Sequence, residues 1–238
     1  MNKLLHTPLT VHNVKLANRL VMPPMATGKT PDGTVQDDLL AYYDARSKGG
    51  CIGLIVTEHA YISPEGKAHE GQLSVSRDTD IPGLTKLVET IHKNNTHVIA
   101  QINHAGSAAM EEITGYPAIS ASVTAQPEYA RKSEKPVREM TADDMHTVAK
   151  KFEKAGVDLL DISGGFNGFT VKNRKDPGFF SDASSAIREA VHVPVILTGG
   201  VTKANEAEAL LEEGAADLIG VGRAIFKDAD WAKKEMEE

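Results

Sequence analysis

The chain is poor in several features that would each point to a definite class. It has one cysteine, Cys51, in 238 residues. No disulfide can therefore close within it, and no oxidising compartment is implied. Cys51 stands in Gly49-Gly50-Cys51-Ile52-Gly53, where a buried strand begins, and reads as a small core residue ahead of a reactive thiol. Positive charge is in deficit: 26 Lys and Arg against 33 Asp and Glu leave a net charge of −7. That balance suits neither nucleic acid nor an anionic membrane surface. No run approaches the roughly 18 apolar residues of a membrane span, and the apolar stretch near Met1 is too short for a signal peptide. The expectation is a cytoplasmic protein. Glycine (20) and proline (11) are near average, which excludes collagen-like and disordered classes. Nucleophile-elbow, P-loop and zincin patterns are absent, and no Gly-x-Gly-x-x-Gly follows the first strand, which counts against a Rossmann fold.

What is present is a rhythm. Short apolar runs recur at Leu20-Val21-Met22, Ile52 to Val56, Val98 to Ile102, Val157 to Ile162, Val195 to Leu197 and Leu218 to Val221. They are rich in Val, Ile and Leu with little polar alternation, as in strands buried on both faces of a parallel sheet. Amphipathic segments lie between them. Ile81, Leu84, Leu87, Val88 and Ile91 form one stripe; Met145, Val148, Ala149 and Phe152 form another; Ala183, Ala186, Ile187 and Ala190 a third. Thr141 with Asp144 predicts a capping box, and Gly156 and Gly214 predict helix stops. Six strand–helix units result, which argues for an α/β fold with a parallel sheet. Two long connections, 59–80 and 103–140, follow strands at the end where such folds bind ligands.

Chemistry concentrates at the ends of strands. The last two read Thr198-Gly199-Gly200 and Gly222-Arg223. Glycines let backbone N–H groups approach an anion, and Arg223 adds paired charge, so a phosphate site is one reading. Tight strand-to-helix turns are the other. Gln101 ends the third strand within Gln101-Ile102-Asn103-His104, and its amide can donate and accept at the edge of a pyrimidine-like ring; Gln101 and His104 could equally bond neighbouring loops. His59, in Thr57-Glu58-His59, either faces a ligand or caps its strand. Glu58, His59 and His104 lack a further ligand at helical spacing, so no metal site is predicted. These residues alone imply a phosphate-bearing ligand in an α/β barrel, without a reaction.

The motifs together resemble the old yellow enzyme family, the FMN-dependent NADH:flavin oxidoreductases, and especially their bacterial 2-enoate-reductase-like branch. Leu16-Ala17-Asn18-Arg19-Leu20-Val21-Met22-Pro23-Pro24-Met25-Ala26-Thr27 is similar to the family's first strand, whose Pro-Met segment lies against the flavin. Leu54 to His59 with Pro64 and Gly66, Ala100 to Gly106, Pro136 to Thr141, Thr198 to Gly200 and Gly222-Arg223 are similar to its later motifs. The resemblance implies a TIM-barrel-derived fold and FMN held by Pro24, Met25, Ala26, His59, Gln101, Gly199, Gly200, Gly222 and Arg223. It implies NAD(P)H as reductant and a small-molecule substrate, an activated alkene.

The resemblance also implies a gap. The Thr141 helix runs through Phe152 into Ala155-Gly156-Val157, which is similar to the family's sixth unit. Two units, roughly 60 residues, are missing near 152–155, leaving six of eight in one domain spanning 1–238. In the family that block carries the substrate-anchoring pair, a proton-donating Tyr and an Arg beside the flavin. No catalytic residue is therefore assigned; Tyr116, Tyr129 and His104 are the nearby candidates. Two functions remain in view: an ene-reductase-type NAD(P)H oxidoreductase, or a non-catalytic flavin-binding remnant or engineered fragment. Removing two adjacent strands leaves either a tighter six-strand barrel or an open sheet, whose edges would favour a homo-oligomer.

Overall fold

The computed structural model describes residues 4–119, 141–163 and 174–237. Its centre is a parallel sheet built from the apolar runs: β3 (Leu20–Met22), β4 (Leu54–Val56), β7 (His97–Ile99), β9 (Leu160–Ile162), β10 (Val195–Thr198) and β11 (Leu218–Gly220), in the order β7-β4-β3-β11-β10-β9. Every neighbouring pair is parallel, with Ile219 opposite Leu20, Met22 opposite Ile55 and Ile196 opposite Leu218.

Each central strand is buried on both faces, which explains why its sequence does not alternate. Leu20, Met22, Ile55, Leu197, Ile219 and Val221 belong to the larger core, with Leu39, Tyr43, Leu87, Ile91, Leu210 and Trp231. These last come from α1 (Asp37–Ser47), α2 (Ile81–His92), α6 (Ala204–Glu212) and α8 (Trp231–Glu237). Val21, Leu54, Ile196 and Leu218 point to the opposite face and gather with Leu16. Leu9 and Val11 pack there too, so the antiparallel hairpin of β1 (Leu9–Val11) and β2 (Val14–Leu16) packs against that face. Buried Glu208 ties the N-terminus to α6 by accepting from the N–H groups of Leu4 (2.7 Å) and Leu5 (2.8 Å).

The sheet does not close. Of the two alternatives, the structure has the open one: among the described residues β7 and β9 each pair on one side only in this sheet. Apolar side chains stand exposed nearby, Ile99 on β7 and Ile102 (68% exposed) just beyond it. The Thr141 helix, α4 (Ala142–Lys154), has the expected capping box, with Asp144 Oδ2 accepting from the Thr141 N–H at 2.8 Å. Its packing partner is α5 (Ser181–Ala190), the helix after β9. Only Ala149 of its predicted stripe is buried; Val148 and Phe152 are exposed. The α2 stripe is likewise narrower than its periodicity, since Leu87 and Ile91 are buried while Ile81 and Val88 are exposed.

The 59–80 connection is structured. It contributes β5 (Ala60–Tyr61) and β6 (Leu73–Ser74) to a small parallel sheet with β8 (Ile102–Asn103), in the order β6-β5-β8. Beyond β8 a short helix, α3 (Glu111–Thr114), leads to residue 119. The polar stretch 124–139, with Tyr129 and Pro136, lies outside the described residues.

Candidate cofactor site

The sequence-predicted residues lie on one rim, the C-terminal edge of the parallel sheet. Read along the strand order, Gln101 follows β7, His59 follows β4, and Pro24, Met25 and Ala26 follow β3. Gly222 and Arg223 follow β11, and Gly199 and Gly200 follow β10. At about 4.8 Å between strands, four steps separate Gln101 from the glycine pair by roughly 19 Å along the rim. That length suits an elongated ligand with a ring at one end and an anionic group at the other.

The middle of the rim is the tightest part. A Cβ on Gly222 would lie 3.0 Å from Met25 Sδ and 3.3 Å from Pro23 Cγ, so glycine is what lets the β11 loop close on the β3 loop. Gly222 is also the N-cap of α7 (Arg223–Lys227). Arg223 is exposed and makes no hydrogen bond or ion pair with the described residues. Among the described residues, no backbone hydrogen bond takes up the N–H of Gly200 or Gly222. A guanidinium without a partner among the described residues, on the loop that also carries the Gly222 N–H, is a donor type that suits an exposed phosphate.

Gly199 and Gly200 have a second reason to be glycine. Gly200 sits at φ +75°, and a Cβ there would meet Asp176 O and the Phe179 ring at 2.7 Å. A Cβ on Gly199 would meet the rings of Phe180 and Phe179. The tight-turn reading therefore holds for this pair, and it leaves the Gly200 N–H open rather than excluding an anion.

At the ring end, the Gln101 side chain is exposed and has no partner among the described residues, while its carbonyl accepts from the Ala60 N–H at 2.8 Å. The backbone thus fixes Gln101 and leaves its amide unspent. His104 is used internally: its Nδ1 accepts from the Gly106 N–H at 3.0 Å and its ring lies against Gly66.

His59 is also engaged. Its Nε2 lies 3.0 Å from His69 Nε2. His69 Nδ1 lies 2.7 Å from the Glu70 carbonyl and must donate to it, so when His69 is neutral its Nε2 accepts the proton of His59 Nε2, and when His69 is charged its Nε2 donates to His59. Gln72 Nε2 then donates to His59 Nδ1 at 3.4 Å and to Asn103 Oδ1 at 2.9 Å. Burial, with His69 adding to it, holds the His59 imidazole below its ordinary value. Nothing in the residue pattern marks this pair, because His69 lies ten residues away in an irregular segment.

Glu58 is the other residue that sequence reasoning passed over. It is 1% exposed, and its Oε2 accepts from both the N–H (2.7 Å) and the hydroxyl (2.8 Å) of Thr27. Burial pushes its carboxyl upward, against the pull of the Thr27 hydrogen bonds and of His69 and Lys29. Burial likewise pushes the Cys51 thiol up, which disfavours the reactive thiolate.

A family model described as NADH:flavin oxidoreductase / NADH oxidase matches residues 4–173 and 170–238. A metal reductase of Desulforamulus reducens is 26% identical over 326 residues, covering 98% of this chain and 48% of its own length. An NADPH dehydrogenase of Geobacillus thermodenitrificans is 27% identical over 328 residues, covering 99% of this chain and 95% of its own. Both alignments are longer than the 238 residues of this chain, so these relatives carry residues within the aligned span that it lacks. The chain spans about half the length of the first relatives it matches, at 48% and 50%. Among solved structures, 2-naphthoyl-CoA reductase in complex with 2-naphthoyl-CoA superposes with a TM-score of 0.84 at 18% identity, covering 100% of this chain and 52% of that one. An old yellow enzyme homologue from Zymomonas mobilis gives 0.68 at 17% identity, covering 98% and 92%. The open sheet is thus a partial form of the barrel in those proteins.

Proposed function

The chain belongs to the NADH:flavin oxidoreductase / NADH oxidase family, and from that premise we propose that it is an FMN-dependent NAD(P)H oxidoreductase of the ene-reductase type. The observation that carries this reading is the rim. Unpaired Arg223, the open Gly200 and Gly222 N–H groups and the uncommitted Gln101 amide fit the two polar ends of FMN. Pro23, Pro24 and Met25 offer an apolar surface between them. Bound FMN would supply hydride transfer between NAD(P)H and an activated alkene.

The chain's own part is to hold and orient. Arg223 would neutralise the phosphate, Gln101 would donate to and accept from the pyrimidine edge, and Gly222 lets Met25 pack closely against its loop. Fixing donor and acceptor in one orientation is the larger share of such catalysis. His59 belongs to this set as a support, through His69 and Gln72, rather than as a direct contact. The proposed unit is the whole span 1–238, in the cytoplasm.

A second reading is favoured by one specific observation, the two unpaired sheet edges. It is a flavin-binding remnant that takes up FMN without turning over an alkene. The same edges favour association with a second copy. Anaerobic titration separates the two readings. An FMN-loaded protein bleached by NADH or NADPH and recoloured by an enone supports the oxidoreductase. Bleaching without enone turnover supports the remnant, and failure to take up FMN rejects both.

A further inference from the structure

Glu58 presents a conflict that packing alone does not explain. It is buried to 1% exposure, yet its Oε1 has no hydrogen-bond partner among the described residues. An orphaned buried oxygen costs stability, and an amide or apolar side chain of the same shape would lower that cost. Everything else about the residue is tightly specified. Its backbone N–H donates to Tyr43 Oη at 2.8 Å, fixing it to α1. Its Oε2 takes both donors of Thr27, one from the backbone and one from the side chain. Thr27 Oγ1 in turn accepts from the Lys29 N–H at 3.2 Å.

A two-point grip on one residue fixes both its backbone position and its rotamer. Thr27 ends the segment Pro23-Pro24-Met25-Ala26, whose Met25 lies against Gly222. From these contacts we infer that Glu58 is a positioning residue for the cofactor: it clamps Thr27 so that Pro24, Met25 and Ala26 are held at the height of the rim set by Gly222 and Arg223. The inference rests on the FMN reading, but the clamp can be examined without FMN. Without the carboxylate, two donors of Thr27 lose their acceptor together.

The test uses the full chain with Glu58→Ala, Glu58→Gln and Thr27→Val. In the cofactor-free protein, Glu58→Ala should speed amide exchange at Thr27 by at least about 10-fold, while Glu58→Gln, which keeps one acceptor oxygen, should stay within about 3-fold of wild type. With FMN added, Glu58→Ala should raise the FMN Kd by about 10-fold or more and blur the fine structure of the bound flavin's visible band, with Glu58→Gln restoring both. Thr27→Val keeps its shape and should lose less than Glu58→Ala, and it should add nothing in the Glu58→Ala background. Unchanged Thr27 exchange in Glu58→Ala overturns the clamp whatever happens to FMN. Normal exchange effects with an unchanged FMN Kd and spectrum overturn the cofactor role. If Glu58→Ala does not fold, Thr27→Val and Glu58→Gln carry the test: a Thr27→Val protein that binds FMN as wild type does would contradict it. Wild-type protein that takes up no FMN refutes the functional reading itself, and is recognised as such because the exchange result stands apart.

Discussion

Arg223 and Gly200 make opposite kinds of contribution to the same rim. Arg223 is exposed and has no hydrogen-bond or ion-pair partner among the described residues. Arg223→Ala should leave thermal stability near wild type while weakening FMN binding by about 10- to 100-fold, the range of a charge-assisted pair. Fluorescence titration of FMN beside a melting curve checks both halves. Gly200 is held at φ +75° against Asp176 O and Phe179. Gly200→Ala should therefore destabilise the protein by at least about 1–2 kcal/mol from backbone strain alone, read in denaturant unfolding. His59 makes a pH prediction. Its imidazole is held below its ordinary value, first by burial and then by His69, so the folded state binds a proton less readily than the unfolded chain. Its contribution is then fully present above about pH 6.5 and lost as pH falls through the lower folded value. Denaturation from about pH 7.5 to about pH 5 should show wild type losing more stability than His59→Gln, and parallel curves would contradict the assignment.

At the scale of elements, the strands were legible and their neighbours were not. Leu20-Val21-Met22 and Val195-Ile196-Leu197 announce burial on both faces, and both are central strands. The Thr141–Asp144 capping box was equally plain, because it depends on two residues three apart. Thr141→Ala should cost about 0.5–2 kcal/mol, measurable by loss of helical signal and of unfolding free energy. The apolar stripes misled at Ile81, Val88, Val148 and Phe152 because periodicity shows which side of a helix is apolar, not how wide a partner covers it. The rim residues Gln101, Gly222 and Arg223 could be found because strand ends are where such folds bind ligands. The Glu58–Thr27 clamp and the His59–His69 pair could not, since each joins irregular segments whose approach only the fold determines.

The whole molecule is a barrel wall with a gap. Six parallel strands form the wall, and among the described residues β7 and β9 each pair on one side only in this sheet. Short edge strands limit mispairing, but Ile99 and Ile102 offer apolar surface beside one of them. Light scattering should return a mass above the 25.6 kDa of one chain, and Ile102→Lys should lower it; a monomer at all concentrations would contradict the edge argument. Gln101, Met25, Gly222, Arg223 and Gly200 all follow strands that are present in this sheet. The most direct measurement of the central claim is an anaerobic visible-spectrum titration of the purified chain with FMN, followed by NADH or NADPH. Saturable uptake of one FMN per chain is expected, with bound-flavin absorbance that the nicotinamide bleaches. A protein that stays colourless in excess FMN, with its fold intact, would contradict it.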